Sequence, residues 1–89
     1  MKKGDVVTVM TSIGEYVAKF VKSDEGGVYV DAPRLIVKAP DGNIGFGRGI
    51  CMSAQENISD VIFRDCIFVA PVNESFEKAY IEATSGIVI

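Results

Sequence analysis

A long two-stranded hairpin across residues 15–37 constrains the fold of this chain more than any other stretch. Its first arm, residues 15–22, and the segment that returns from residue 28 are rich in β-branched and aromatic residues. Between the arms, residues 23–27 read SDEGG, and two glycines behind two acids are typical of a tight reversal. The sequence on either side of this hairpin is predicted to add further strands to the same sheet.

The chain is predicted to form one domain over residues 1–89, because 89 residues leave no room for a second core. Hydrophobic patterning and turn residues place five strands at about 5–11, 15–22, 28–38, 44–54 and 60–70. Pro33 interrupts the third strand and predicts a bulge, a bend or an edge there, since proline cannot donate to a ladder. The predicted fold class is an all-β antiparallel sheet followed by one helix.

The helix is predicted over residues 74–85, with Asn73 as N-cap and Gly86 at its C-terminal end. Phe76 and Tyr80 are expected on its buried stripe, together with two alanines at helical spacing, Ala79 and Ala83. The apolar tail at 87–89 is expected to dock on its own subunit or on a neighbour.

The fourth predicted strand alternates glycines at 45, 47 and 49 with larger residues, so one of its faces lacks side chains. Such a face permits strong curvature or the close approach of another backbone. The same GFGRG stretch is not a dinucleotide fingerprint, because both the glycine spacing and the strand-to-helix context are wrong.

Composition indicates an oligomer in a reducing compartment. Hydrophobic residues make up 48% of the chain, which is more than a small monomer readily hides, and a subunit interface is the simplest place for the excess. Two cysteines without any histidine make neither a tetrahedral metal site nor a CxxC redox pair. They are expected to be free, buried thiols in a cytoplasmic protein that has no membrane span.

Catalysis is not expected, and neither is a cofactor. Asp24 and Glu25 are adjacent acids in a tight turn, and such acids are far more often solvated turn residues than a catalytic pair. The net charge of −3 argues against charge-driven duplex binding, although a locally basic ring or groove remains open. The cations available for a phosphate or a pore are Lys19, Lys22, Arg34, Lys38, Arg48 and Arg64.

Three stretches make the chain similar to the Sm/LSm proteins, and more closely to the small Sm-like proteins encoded by tailed marine cyanophages. They are GEYVA at 14–18, DAPRL at 31–35, and EKAY at 77–80 with TSGI at 84–87. The resemblance implies a strongly bent five-stranded sheet, or small open barrel. It also implies a homo-oligomeric ring of about five to seven subunits in the cytoplasm of an infected bacterial host.

Sm-type rings bind single-stranded RNA through the loop between strands two and three and the loop between strands four and five. By this resemblance the candidate nucleic-acid-binding residues are Lys22, Ser23, Asp24, Gln55 and Asn57. The family's Asn after the first-loop Asp and its second-loop Arg-Gly are both missing here, and neither loop holds an aromatic residue on which a base would stack.

Two classes of function therefore remain open. The first is a ring that binds single-stranded RNA or DNA in phage or host nucleic-acid processing, which the resemblance favours. The second is a structural or adaptor ring that binds phage or host proteins, which the acidic charge and the missing loop residues favour.

Overall fold

The computed structural model describes residues 1–47, 49–51 and 53–85. This part of the chain forms an antiparallel sheet of six strands and one C-terminal helix. The elements are β1 (Val6–Thr11), β2 (Gly14–Asp24), β3 (Gly27–Lys38), β4 (Ile44–Phe46), β5 (Val61–Phe63), β6 (Cys66–Pro71) and α1 (Glu74–Thr84). The strand order is β4-β3-β2-β1-β6, and β5 also pairs with β3. A mostly β fold that ends in one helix is thus confirmed.

The first three strands form where the sequence predicts them, and each adjacent pair is joined by a tight turn. Strands β1 and β2 pair without interruption from Val6 opposite Lys19 to Thr11 opposite Gly14. The Thr11 hydroxyl closes this turn by donating to the Gly14 carbonyl over 2.9 Å. At the next turn β2 runs on to Asp24 and β3 begins at Gly27, so the reversal is shorter than the predicted 23–27.

The predicted irregularity at Pro33 is a bulge inside a continuous strand. Val17 pairs with Arg34 and Lys19 pairs with Asp31, so Ala18 alone lies opposite two residues, Ala32 and Pro33. Ala32 has a φ of 49°, and its N–H donates to the Ile58 carbonyl over 2.7 Å. The bulge therefore turns a β3 donor towards the segment that follows β4.

The prediction of one long fourth strand at 44–54 is wrong, because β4 contains only Ile44–Phe46. The described residues after β4 follow an irregular path. Between residues 47 and 54, the backbone hydrogen bonds of the described residues to β3 come from Gly47 and Gly49. Gly47 N–H donates to the Leu35 carbonyl over 2.7 Å, and Leu35 N–H reaches the Gly49 carbonyl at 3.5 Å. Alternating glycines bring no side chains to bury and lose more conformational freedom than other residues, so the ladder stops early.

The predicted fifth strand at 60–70 is in fact two strands with different partners. Strand β5 pairs with the first part of β3, and β6 pairs with β1. Arg64 and Asp65 lie between them, and the Asp65 carboxylate accepts a hydrogen bond of 2.7 Å from the Ser12 hydroxyl in the β1–β2 turn. The change of partner explains why an alternating apolar pattern that predicts one strand gives two.

Apolar side chains on both faces of the sheet are buried. One face gathers the larger core: Val7, Val9, Tyr16, Ala18, Phe20, Val28 and Val30. The other packs Val6 and Val17 against α1 through the fully buried Tyr80. Alternation along β1 and β2 supplies both sets, since successive side chains point to opposite faces.

The helix begins as predicted, with the Asn73 side chain accepting a 2.9 Å hydrogen bond from Phe76 N–H. Tyr80 is buried and Phe76 is half-buried, but Ala79 and Ala83 are exposed, so the expected stripe is narrower than predicted. The predicted Gly86 terminus and the apolar tail at 87–89 lie outside the described residues. Within those residues, no helix is both long enough and apolar enough to cross a membrane.

Candidate nucleic-acid interface

The first group of candidate residues, Lys22, Ser23 and Asp24, lies exposed at the tip of the β2–β3 hairpin. One Asp24 carboxylate oxygen accepts a 2.8 Å hydrogen bond from Gly26 N–H, and the other lies 3.7 Å from the Lys22 ammonium. The structure therefore uses Asp24 to close the turn. Lys22 also lies over the ring of Tyr29, with its Nζ 4.6 Å from the ring centroid.

The second group belongs to the irregular segment between β4 and β5. The Asn57 side-chain oxygen accepts a 2.8 Å hydrogen bond from Arg34 Nη2, and Arg34 Nη1 donates to the Gly47 carbonyl over 3.2 Å. Gln55 is exposed, and its carbonyl lies 3.0 Å from where a Cβ on Gly49 would stand. Asn57 is exposed, but its amide oxygen is engaged by Arg34, and this contact holds the segment to β3.

The prediction that Arg34 is one of the cations available to bind a ligand is wrong, because Arg34 is buried. Its side chain is only 6% exposed, and its Nε has no hydrogen-bond partner among the described residues. Its guanidinium charge acts on the buried Tyr80 phenol, whose pKa burial raises to about 12 against the opposing effect of that charge. Arg34 is therefore part of the packing between β3, α1 and the 47–60 segment.

The structure does not bring the two groups of candidate residues together within the chain. The hairpin tip adjoins Phe63 and Arg64 through Gly27, whereas Asn57 reaches β3 at Arg34. Seven residues of strand separate Gly27 from Arg34, which corresponds to roughly 20 Å at about 3.3 Å per residue. The chain thus presents two separate surfaces instead of one compact site.

Tyr29, whose ring lies beside the candidate residue Lys22, was not identified from the sequence. Because the turn is only two residues long, Lys22 pairs with Tyr29 across the β2–β3 ladder, and Ile62 of β5 pairs with Tyr29 on its other side. A five-residue loop at 23–27 does not give this register. Recognising that Asp24 and Gly27 pair would have placed an aromatic ring beside the candidate lysine.

The remaining cations and thiols are scattered. Lys19, Lys38 and Arg64 are exposed on different strands or turns, and Arg48 lies outside the described residues. Cys51 is exposed, contrary to the prediction of buried thiols, and its pKa is lowered chiefly by the Ser53 hydroxyl. Cys66 is half-buried, and burial raises the pKa of its thiol. Among the described residues, no three His, Cys, Asp or Glu side chains form a metal-binding group.

Comparison with known proteins gives no match: no family model fits the chain, and no curated protein or solved structure matches it. The fold and its own side chains are therefore the basis for a functional assignment.

Proposed function

We propose that this chain is an Sm-like protein that assembles into a homo-oligomeric ring and binds single-stranded nucleic acid. The observation that carries the proposal is the strand path, which ends with β4 at one side and β6 at the other. In the Sm arrangement the fourth strand of one subunit pairs with the last strand of the next. Pairing of β5 with β3 and of β6 with β1 brings the strands of the proposed fold into one sheet. This sheet is open and not strongly curled in the described residues, so the expected small barrel is not formed by one chain.

Exposed apolar side chains on the two terminal strands support the ring. Ile44 on β4 is 57% exposed, and Ile67 and Phe68 on β6 are 64% and 48% exposed. Unpaired strand edges with apolar residues promote association, and ring closure removes those edges. The ring is proposed to contain about five to seven subunits, and the phage-type resemblance places it in the cytoplasm of an infected bacterium.

The proposed binding also requires a ring, because the hairpin tip lies far from Gln55 and Asn57 within a single chain. The binding surface would combine Lys22, Ser23 and Asp24 with these loop residues around one rim or pore. The loops are too short to enter a duplex groove as a helix or ribbon, so the ligand is single-stranded. Few phosphates are neutralised per subunit, and the affinity should fall only gently as salt rises.

A protein-binding adaptor ring is the second candidate, and a specific observation favours it. One of the two candidate residues of the second loop is engaged within the chain, since the Asn57 side-chain oxygen accepts a hydrogen bond from the buried Arg34. The net charge of −3 also opposes binding to a polyanion. These two observations argue against nucleic-acid binding but do not argue against a ring.

Assembly is tested by sedimentation velocity on the parent chain, Ile67→Lys and Ile13→Lys. Ile67→Lys on β6 is expected to dissociate the ring, because it puts a charge into the proposed interface. Ile13 is 81% exposed in the β1–β2 turn, off both terminal strands, and its variant should stay assembled. A parent chain that is a stable monomer at micromolar concentration contradicts the ring.

Nucleic-acid binding is tested by fluorescence anisotropy with short oligo-U and oligo-dT at low salt. Lys22→Glu should abolish binding, whereas Lys38→Glu makes the same charge change at the far end of β3 and should preserve it. No anisotropy change for the parent at about 100 μM, the weak end of ordinary non-specific affinities, would favour the adaptor ring.

A further inference from the structure

Tyr29 lies in a row of side chains that crosses three strands on the outer face of the sheet. Its neighbours along β3, Val28 and Val30, belong to the buried core, so the Tyr29 side chain points to the opposite face. On that face Lys22 of β2 is paired with it on one side and Ile62 of β5 on the other. Tyr29 is half-buried, and Ile62 is 37% exposed, so the row presents an aromatic ring with an apolar flank.

One cation lies over this ring, and a second lies at the nearby hairpin turn. Lys22 Nζ lies 4.6 Å from the Tyr29 ring centroid. Arg64 follows Ile62 by two residues, and its backbone is packed so closely on Gly27 that a Cβ there would stand 3.2 Å from the Arg64 Cα. The Arg64 side chain is exposed, and within the described residues no ion pair or hydrogen bond engages its guanidinium.

The acids near the ring are mostly engaged in local structure. Asp24 bonds Gly26 N–H with one oxygen and lies beside Lys22 with the other. Asp31 accepts a 2.8 Å hydrogen bond from Asp60 N–H. Lys19 faces Asp31 across the ladder, so cations and carboxylates on this face are close to balance.

We propose that Tyr29 stacks an unpaired base of single-stranded nucleic acid, with Lys22 and Arg64 at the adjoining phosphates. This inference rests on the proposed nucleic-acid function and names the group that carries it. The Lys22 ammonium is well exposed, and its side chain is 60% accessible, so its contacts with Tyr29 and Asp24 are readily exchanged. A base takes the position of the ammonium over the ring, and the ammonium turns to a phosphate.

Stacking suits this surface better than duplex binding or purely ionic binding. Every base has a π-face, and an aromatic platform beside a few cations is the usual means of holding a single strand without sequence preference. A duplex keeps its bases inside the helix, where Tyr29 does not reach them. The near balance of charge leaves stacking as the main source of affinity.

The test compares Tyr29→Phe, which keeps the ring, with Tyr29→Leu, which removes it but keeps apolar bulk. Anisotropy titrations use oligo-U, oligo-dT and an abasic deoxyribose-phosphate oligomer, so that RNA, DNA and backbone charge are measured separately. Tyr29→Leu should weaken binding to the base-bearing oligomers by about 5- to 100-fold, and Tyr29→Phe by no more than about 2-fold. The abasic oligomer should bind the parent as weakly as oligo-dT binds Tyr29→Leu.

A tryptophan at this position gives a second measurement that does not depend on the folding of Tyr29→Leu. The chain contains no tryptophan, so Tyr29→Trp carries a single one. Its fluorescence should be quenched by oligo-U or oligo-dT and unchanged by the abasic oligomer.

The possible failures are distinguishable. If the parent binds the oligonucleotides while Tyr29→Leu binds equally well and Tyr29→Trp is not quenched, stacking is overturned and the proposed function stands. If the parent binds no oligonucleotide, both are overturned, and the outer face is left to a protein partner.

Discussion

The first three strands with the helix and the segment between β4 and β5 differ in what keeps their backbone in place. Strands β1 to β3 bury side chains on both faces, one set in the larger core and the other under Tyr80. The stretch at 44–54, which leads into the irregular segment, alternates as clearly as they do, but glycines at 45, 47 and 49 occupy one side of that alternation. Periodicity alone is thus not enough for a strand, because a ladder persists where its side chains also have something to bury.

Arg34 connects these two regions. It belongs to β3, directly after the bulge at Ala32 and Pro33, and both of its side-chain hydrogen bonds go to the irregular segment. The buried guanidinium makes the segment part of the folded unit although few of its residues form ladder bonds. Substitutions of Tyr80 and of Arg34 itself therefore test whether the two regions unfold together.

The largest expected effect is on the helix side of the comparison. Tyr80 has no exposed surface, and its hydroxyl donates to the Ala32 carbonyl over 2.6 Å. Tyr80→Ala leaves a cavity and removes this bond, so it should lower the free energy of unfolding by about 2 to 4 kcal/mol. Urea denaturation measures the loss. Ile81→Ala, next along the helix and 47% exposed, should stay within about 0.5 kcal/mol of the parent.

If Tyr80→Ala unfolds at the same urea concentration as Ile81→Ala, the helix does not stabilise the sheet. The contacts between α1 and the sheet would then contribute nothing to stability, and burial beneath the helix would not explain why β1 to β3 are regular.

A smaller effect is expected from Arg34→Met, which keeps the aliphatic stem but removes the guanidinium. The Gly47 carbonyl and the Asn57 amide lose a charged donor, so the variant should lose about 1 to 3 kcal/mol. Amide hydrogen exchange should accelerate in residues 47–60 more than in β1, because the lost bonds belong to that segment. Lys38→Met removes an exposed cation from the same strand and serves as the control. Equal acceleration in both regions would show one cooperative unit.

The sequence predicts well where local chemistry decides the outcome. The β1–β3 meander, the irregularity at Pro33 and the Asn73 cap all follow from residues whose effect is confined to a few neighbours. The helix boundaries follow likewise, to within a residue. Turn length was the exception, because Asp24 and Gly27 close a two-residue turn that composition does not distinguish from a longer one.

The candidate site was less predictable because it depends on contacts between distant residues. Asn57 looks like an exposed loop amide in the sequence, and only its contact with Arg34, 23 positions away, shows that it is engaged. The burial of Arg34 likewise follows from the helix and the loop closing over it. Tyr29 was missed because the shorter turn shifts the register by one residue, so that Lys22 pairs with Tyr29 instead of Val28.

Alkaline pH should weaken the packing under the helix. Burial raises the pKa of Tyr80 from 10.0 to about 12. Between these values the unfolded chain has released the phenolic proton and the native chain has kept it, so stability falls as pH rises. This contribution is complete below pH 10 and lost through pH 12, and about 1 to 2 kcal/mol should disappear. Urea midpoints at several pH values measure the slope.

Tyr80→Phe is the matched variant for this titration, since it removes the phenol and keeps the ring. Tyr16, whose pKa burial also raises, is present in both chains and cancels in the comparison. The parent should lose more stability than Tyr80→Phe between pH 10 and 12. Parallel curves would mean that the native and unfolded states hold the Tyr80 proton equally.

The smallest expected effect is a gain in stability, in contrast to the losses above, and it concerns the glycines of β4 and the segment after it. The alternation at 45, 47 and 49 predicts a bare face that a backbone approaches, and a Cβ on Gly49 would indeed stand 3.0 Å from the Gln55 carbonyl oxygen. A Cβ on Gly45, in contrast, would meet no atom of the described residues within 4 Å, and Gly45 is not among the residues with positive φ. Gly45→Ala should therefore stabilise the chain by about 0.5 kcal/mol, by restricting the unfolded state.

Gly27→Ala is the control that makes this result interpretable. Gly27 has a φ of 134°, and a Cβ there would lie 2.5 Å from the Phe63 carbonyl oxygen. The same substitution should thus cost more than about 1 kcal/mol, because both the conformation and the space exclude a side chain. Urea midpoints that rise for Gly45→Ala and fall for Gly27→Ala would show that glycine is required at the hairpin tip but not in β4. A loss at Gly45 as large as that at Gly27 would mean that another part of the protein lies close to this face of β4.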